Sequence, residues 1–123
     1  MAIKVVDASA LAALLFGEPD AETVAGRLAG AQLIASALLD FELTNVCVVK
    51  MRRQPGVRAT LAAAFKLRAH MELETVGVDH DGVLHLAQST KLTAYDASYL
   101  WLARKLSAEL VTRDRQLAQA ALS

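Results

Sequence analysis

The chain has 123 residues, 54% of them apolar and 21% charged, enough for one respectable hydrophobic core and too apolar for a disordered segment. Its 13 basic and 13 acidic side chains cancel, so overall charge names no partner and only the placement of charge can. A single cysteine, Cys47, excludes an internal disulfide, the apolar stretches fall short of the ~18 residues a membrane span requires, and Met1–Asp7 is too short and too soon interrupted for a signal peptide, so a soluble cytoplasmic protein without membrane contact is expected.

Ile3-Lys4-Val5-Val6 reads as a strand, and Asp7 follows it directly. Helical periodicity runs over Ser9–Phe16 and, past the breaker Gly17-Glu18-Pro19-Asp20, over Ala21–Ala29. After Gly30 a second strand is expected at Gln32–Ala35, with a long helix, Ala37–Arg53, directly behind it. Pro55-Gly56 separates that helix from another over Val57–Met71. A strand at Leu73–Val78, helices at Asp81–Ser89 and Tyr95–Ser107, a strand at Glu109–Thr112 and a helical piece from Arg115 complete the chain. Such alternation implies right-handed crossovers and a parallel sheet covered by helices on both faces.

In sheets of this kind, sites gather at the carboxyl ends of the strands. Asp7 follows the first strand, and Asp114 lies two residues beyond the end of the last one. The helix with Asp96 at its start runs back across the sheet before Glu109–Thr112, so it begins at the same rim. Helix Ala37–Arg53 starts there too, and Glu42 stands in its second turn, ~7 Å along the axis. Leu38, Leu39, Val46 and Val49 share a face with Glu42, which turns its carboxylate towards the buried side with no basic residue on that stripe to neutralise it.

Four carboxylates on one rim repel. A pair ~4 Å apart costs ~4 kcal/mol at an effective dielectric of ~20, a large share of the ~5–15 kcal/mol that holds a domain together. Either some of them take up protons or a divalent cation sits among them, and all-oxygen donors favour Mg²⁺ or Mn²⁺ over zinc. That points to phosphodiester chemistry. The plainer reading is that Asp is a favoured N-cap, and Asp7, Asp96 and Asp114 all precede helical segments. Taken singly each reads as a cap; their conjunction on one rim favours the site.

Four pieces carry a resemblance: Val5-Val6-Asp7-Ala8-Ser9-Ala10-Leu11, Phe41-Glu42-Leu43-Thr44-Asn45-Val46, Thr93-Ala94-Tyr95-Asp96-Ala97-Ser98-Tyr99 and Leu110-Val111-Thr112-Arg113-Asp114. In this order, over nearly the whole chain, they resemble the PIN-domain nucleases, most closely the VapC toxins of bacterial toxin–antitoxin pairs. The resemblance implies one PIN-like nuclease domain over residues 1–123, a three-layer α/β/α fold with a mostly parallel central sheet of four to five strands. It also implies a Mg²⁺- or Mn²⁺-dependent endoribonuclease leaving 5′-phosphate and 3′-hydroxyl ends. Asp7, Glu42, Asp96 and Asp114 match the acidic quartet, Ser9 and Thr112 match hydroxyls beside the metal, and Asn45 matches a polar neighbour of the glutamate. Direct or water-mediated ligation is expected of Asp7, Asp96 and Asp114, with Glu42 either a further ligand or the group that orients the attacking water. Expected partners are an RNA substrate, a VapB-like antitoxin and a second copy of the chain. Many relatives add a short strand after the last helix, whereas this chain stops at Ala120-Ala121-Leu122-Ser123, which puts a fifth strand in question.

Between Lys50 and Arg68 lie six basic residues and no acid, a run that suits either an RNA-backbone contact or a solvated helix face, with the latter favoured for most of them. Arg113 and Arg115 flank Asp114 and are the better candidates for phosphate. Aromatic residues make up only 5% of the chain, so stacking on bases is expected to be minor. His70, His80, His85 and Cys47 lack metal-ligand spacing, Tyr99 is expected to pack inward, and Trp101 serves either ordinary packing or a homodimer contact. No nucleophile elbow or Gly-rich phosphate loop is present. The competing functions are a non-catalytic PIN-like module that binds RNA or protein, and a metal-dependent phosphatase or nuclease acting on DNA.

Overall fold

The computed structural model describes residues 1–123. Four segments form strands: β1 (Ile3–Val6), β2 (Gln32–Ser36), β3 (Leu73–Val76) and β4 (Glu109–Val111). They make one sheet of order β3-β2-β1-β4 in which every pairing is parallel. The strands are apolar where helices cover them, as a doubly covered parallel sheet requires: Val5, Val6 and Ala35 of the central strands and Val111 of the edge strand β4 are all fully buried.

Seven helices cover the two faces and complete a three-layer α/β/α fold: α1 (Ala8–Phe16), α2 (Ala21–Leu28), α3 (Leu39–Arg53), α4 (Arg58–Lys66), α5 (His80–Thr90), α6 (Ala94–Leu106) and α7 (Arg115–Leu122). α1 packs against α2, α3 and α4; α6 packs on β1, β2 and β4 and against α5 and α7. α1 is apolar nearly all round (Ala8-Ser9-Ala10-Leu11-Ala12-Ala13-Leu14-Leu15-Phe16), which only a position inside the core tolerates. It stops at Gly17, whose φ of 64° places it in the left-handed region and lets its N–H bond the Ala13 carbonyl. Twenty-four of the buried residues form one continuous core, from Val5 to Leu117.

Differences from the periodicity are local and have identifiable causes. α3 begins at Leu39 because Ala37 and Leu38 form a turn, in which the Leu38 N–H donates to Ser36 Oγ at 3.3 Å. The helix read over Val57–Met71 divides: Pro55–Val57 is a 3₁₀ turn, α4 ends at Lys66, and Leu67–His70 tightens into a second 3₁₀ turn. After β4 the chain enters α7 and adds no fifth strand. No helix is long and apolar enough to cross a membrane.

Candidate active site

All four carboxylates line one cleft of about 470 Å³ at the carboxyl ends of the strands, together with Ser9 and Asn45. The route each takes there differs.

Asp7 leaves β1 and turns the chain into α1. It is only 3% exposed, and its carboxylate is held on both oxygens. Oδ1 accepts from the Ser9 hydroxyl at 2.8 Å and from the Ala10 N–H at 3.0 Å, the latter being the α1 cap; Oδ2 accepts from the Thr112 hydroxyl. Thr112 also accepts from the Asp114 N–H at 3.0 Å, and Ser9 Oγ accepts from the Arg113 N–H at 2.9 Å. Two hydroxyls thus stitch the end of β1 to the end of β4, and set Asp7 and Asp114 in fixed relation. Asp114 caps α7 through the Leu117 N–H at 2.8 Å and is otherwise exposed.

Asp96 stands differently. It is not a cap: Thr93 caps α6, its hydroxyl accepting from the Asp96 N–H at 3.1 Å. The Asp96 side chain, in the first turn, is half-buried and left free for the cleft. Glu42 is also half-buried, because the buried stripe of α3 runs through Leu39, Leu43 and Cys47 and leaves Glu42 on its edge. There Tyr99 meets it, donating from its hydroxyl to Glu42 Oε1 at 2.6 Å.

Burial dominates the electrostatics. Loss of water raises the pKa of Asp7, Glu42 and Asp96 above the ordinary carboxylate range. Mutual repulsion adds to this: Asp114 acts on Asp7, Asp96 and Asp7 act on Glu42, and Asp114 and Asp7 act on Asp96. Hydrogen bonds from Thr112, Ala10 and Ser9 to Asp7, and from Tyr99 to Glu42, pull the other way without winning. Tyr99 itself is pushed far up by burial and by Glu42, so it remains a proton donor. No Lys, Arg or His lines the cleft, and none of the chain's ion pairs involves the quartet.

The donor set is therefore all oxygen, mostly desolvated and short of positive charge, which suits a hard divalent cation. No three acidic, histidine or cysteine side chains stand close enough together to grip an ion as they are. What the four carboxylates share is the lining of one cleft.

The other expected residues fall into place individually. Arg113 donates from Nε to Asp20 at 2.6 Å and is thereby held away from solvent phosphate, whereas Arg115 is exposed and makes no ion pair. In the basic run, Lys50 pairs with Glu18 and lies 5.6 Å from the Phe16 ring centre, and Arg68 pairs with Asp40 at 2.9 Å. Arg52, Arg53, Arg58 and Lys66 are simply exposed, as a solvated face would be. His70, His80 and His85 are exposed, and Cys47 is buried in α3's packing. Trp101 packs against Gly82 of α5. Sequence reasoning placed Tyr99 inside but missed its hydroxyl as the partner of Glu42; the only available signal was a tyrosine three residues after Asp96, one turn along the same helix face.

Comparison with known proteins agrees with this fold. The PIN domain family pattern matches residues 4–122. The chain is 33% identical to Ribonuclease VapC3 of Pyrobaculum aerophilum, over 94% of this chain and 92% of that one. Among solved structures it is similar to PAE2754 from Pyrobaculum aerophilum, with a TM-score of 0.77 and 28% identity, over 97% of this chain and 79% of the other.

Proposed function

The chain belongs to the PIN-domain family, among its VapC-like ribonucleases, and from that membership we propose that it is an endoribonuclease, hydrolysing RNA phosphodiester bonds as the toxin of a toxin–antitoxin pair. Residues 1–123 act as one nuclease domain in this reading. The observation that carries it is the cleft lined by Asp7, Glu42, Asp96 and Asp114 without a single basic side chain.

Divalent-metal dependence is general among nucleases of this kind, and we assign Mg²⁺ or Mn²⁺ here on donor chemistry. Asp7, Asp96 and Asp114 would hold the ion, with Glu42 a further ligand or the group that orients water. When bound, such an ion lowers the pKa of a water and polarises a phosphate oxygen. The chain's own residues do the rest. Ser9 and Thr112 fix both Asp7 oxygens, so that this carboxylate cannot rotate as charge shifts in the reaction. Tyr99 takes up Oε1 of Glu42 and so orients that carboxylate. Burial and neighbouring charge make Glu42 more basic than an ordinary carboxylate, which suits a group accepting a proton from the attacking water. Asn45 lines the cleft beside it as a neutral polar contact. Arg115, exposed next to Asp114, is assigned to substrate phosphate; Arg113 takes that role only on releasing Asp20. A VapB-like antitoxin and a homodimer belong to the same proposal.

Purified protein incubated with structured RNA and Mn²⁺ should cut it, and Asp96→Asn should reduce cutting by at least two orders of magnitude. Undiminished cleavage by Asp96→Asn would remove Asp96 from the site. Equal cleavage of DNA would widen the substrate class, and binding without cleavage in either metal would favour a non-catalytic module.

A further inference from the structure

Of the chain's six aromatic side chains, only two are exposed: Phe41 at 82% and Tyr95 at 61%. Both sit on the rim of the acidic cleft, and both also line a second hollow of about 540 Å³ that adjoins it. Behind them that hollow is walled mainly by carbon, from Leu38, Val78 and Val83. The two aromatics come from different helices, α3 and α6, and each is the chain neighbour of a cleft acid: Phe41 precedes Glu42, and Tyr95 precedes Asp96. Adjacent Cα atoms lie only about 3.8 Å apart. Flat apolar faces therefore stand within one nucleotide of the position where a phosphate must sit for the quartet to act on it.

We propose that Phe41 and Tyr95 form a stacking platform for the unpaired nucleobase next to the cleaved phosphate. The inference rests on the RNA-cleaving reading of the same cleft. An RNA strand brings a base beside every phosphate, and any base offers a π-face to an exposed aromatic ring. The carboxylates by themselves repel the RNA backbone, and apart from a bound cation and Arg115 the cleft offers it no positive charge, so uncharged contacts must add affinity. The basic run from α3 to the 3₁₀ turn after α4 is partly consumed, Lys50 by Glu18 and Arg68 by Asp40, and Arg113 is held by Asp20. Stacking supplies attraction that carries no charge and is insensitive to that repulsion. It also requires the target to be unstacked at the cut, which selects single-stranded loops over paired stems.

The test uses the full chain, Mn²⁺ and a short fluorescein-labelled single-stranded RNA with phosphorothioate linkages throughout to slow cleavage, read by anisotropy. Phe41→Ala and Tyr95→Ala are each expected to weaken binding by roughly 5- to 150-fold, the fold-change equivalent of one stacked base. Phe41→Trp and Tyr95→Phe should retain wild-type affinity. The weakening should vanish for a strand made abasic on the platform's side of the cut, and it should persist at high salt, where phosphate contacts fade. Both residues are exposed, so melting temperatures should match the wild type and exclude misfolding. Alanine variants that melt normally and bind the intact strand as tightly as wild type overturn the platform. So does unchanged RNA affinity with loss of a homodimer in sedimentation, which makes the patch an interface between copies. A wild type that neither cuts nor binds any RNA instead refutes the ribonuclease reading on which the platform depends.

Discussion

The Tyr99 hydroxyl donates to Glu42 Oε1 at 2.6 Å, joining two residues that lie 57 positions apart and on helices from opposite layers. Tyr99 is 1% exposed, so this donor has no water to fall back on. The bond holds down a carboxyl that burial and its neighbours push up. Tyr99→Phe should therefore raise the Glu42 pKa further and move the acidic limb of the cleavage rate to higher pH. It should also lower stability by about 1–3 kcal/mol, the usual cost of losing a hydrogen bond to a charged group. A pH–rate profile of the variant beside the wild type checks the first effect, and urea unfolding the second. An unmoved acidic limb would mean that Glu42 does not handle the proton.

Stability of the metal-free protein should fall as pH rises. Asp7, Glu42 and Asp96 all have folded pKa values above the unfolded values of about 4. The native state thus keeps protons that the unfolded state has released. That contribution is fully present below the unfolded pKa and is lost as pH rises through the raised folded values. Glu109 has the opposite sign: Arg27 and Lys4 hold its carboxyl low, so its contribution is lost as pH falls, but it is half exposed and the effect is small. In chelator, the melting temperature should therefore drop as pH rises above the unfolded values of about 4, and Asp96→Asn should recover part of the loss. Adding Mn²⁺ at a hundredfold excess over its dissociation constant should stabilise the wild type by about 2.7 kcal/mol. Asp96→Asn should lose most of that gain. A flat melting profile in chelator would show that the carboxylates do not strain the fold.

Thr112→Val keeps the shape of the side chain and removes its hydroxyl. That hydroxyl donates to Asp7 Oδ2 and accepts from the Asp114 N–H, so one of the two hydroxyl links between the strand ends is lost and only the Ser9 link remains. Thr112 is only 8% exposed, and the abandoned groups are poorly reached by water. A loss of about 1–3 kcal/mol is expected in urea unfolding, with Thr112→Ser near wild type. Cleavage should fall more than stability does, because Asp7 is then held on Oδ1 alone, by Ser9 and Ala10, and its Oδ2 loses its fixed position. Equal behaviour of the valine and serine variants would assign Thr112 a packing role only.

Much of this arrangement could be read from residue order. A β-branched run ending in Asp7 and another ending near Asp114 locate two strand ends, and parallel topology then puts both acids on one edge. Asp96 was misleading as a cap candidate, since Thr93, three residues earlier, has the hydroxyl that the first turn needs. What escaped was pairing across long separations. Nothing in the sequence says that Tyr99 reaches Glu42, or that Arg113 turns to Asp20 and away from the cleft. Phe41 escaped for another reason. A phenylalanine beside apolar helix positions reads as core, yet the buried stripe runs through Leu39 and Leu43 and leaves Phe41 in solvent. The low aromatic content suggested that stacking matters little, and the platform proposed at Phe41 and Tyr95 departs from that expectation.

The contact between α5 and α6 gives a prediction independent of the cleft. A Cβ added at Gly82 would run into the Trp101 ring nitrogen and lie 3.1 Å from Asp79 Oδ2, the carboxylate that caps α5 through the Gly82 N–H. A bulky ring held in a packed layer cannot shift far, so Gly82→Ala should cost about 1–3 kcal/mol despite the alanine's better helix propensity. Trp101 is the only tryptophan, and its emission reports this site alone. Gly82→Ala should red-shift that emission as the ring is displaced towards water, while cleavage at a permissive temperature stays near wild type. A stabilised variant with unchanged fluorescence would mean that Trp101 has room to move, and that packing against Gly82 does not lock α5 onto α6.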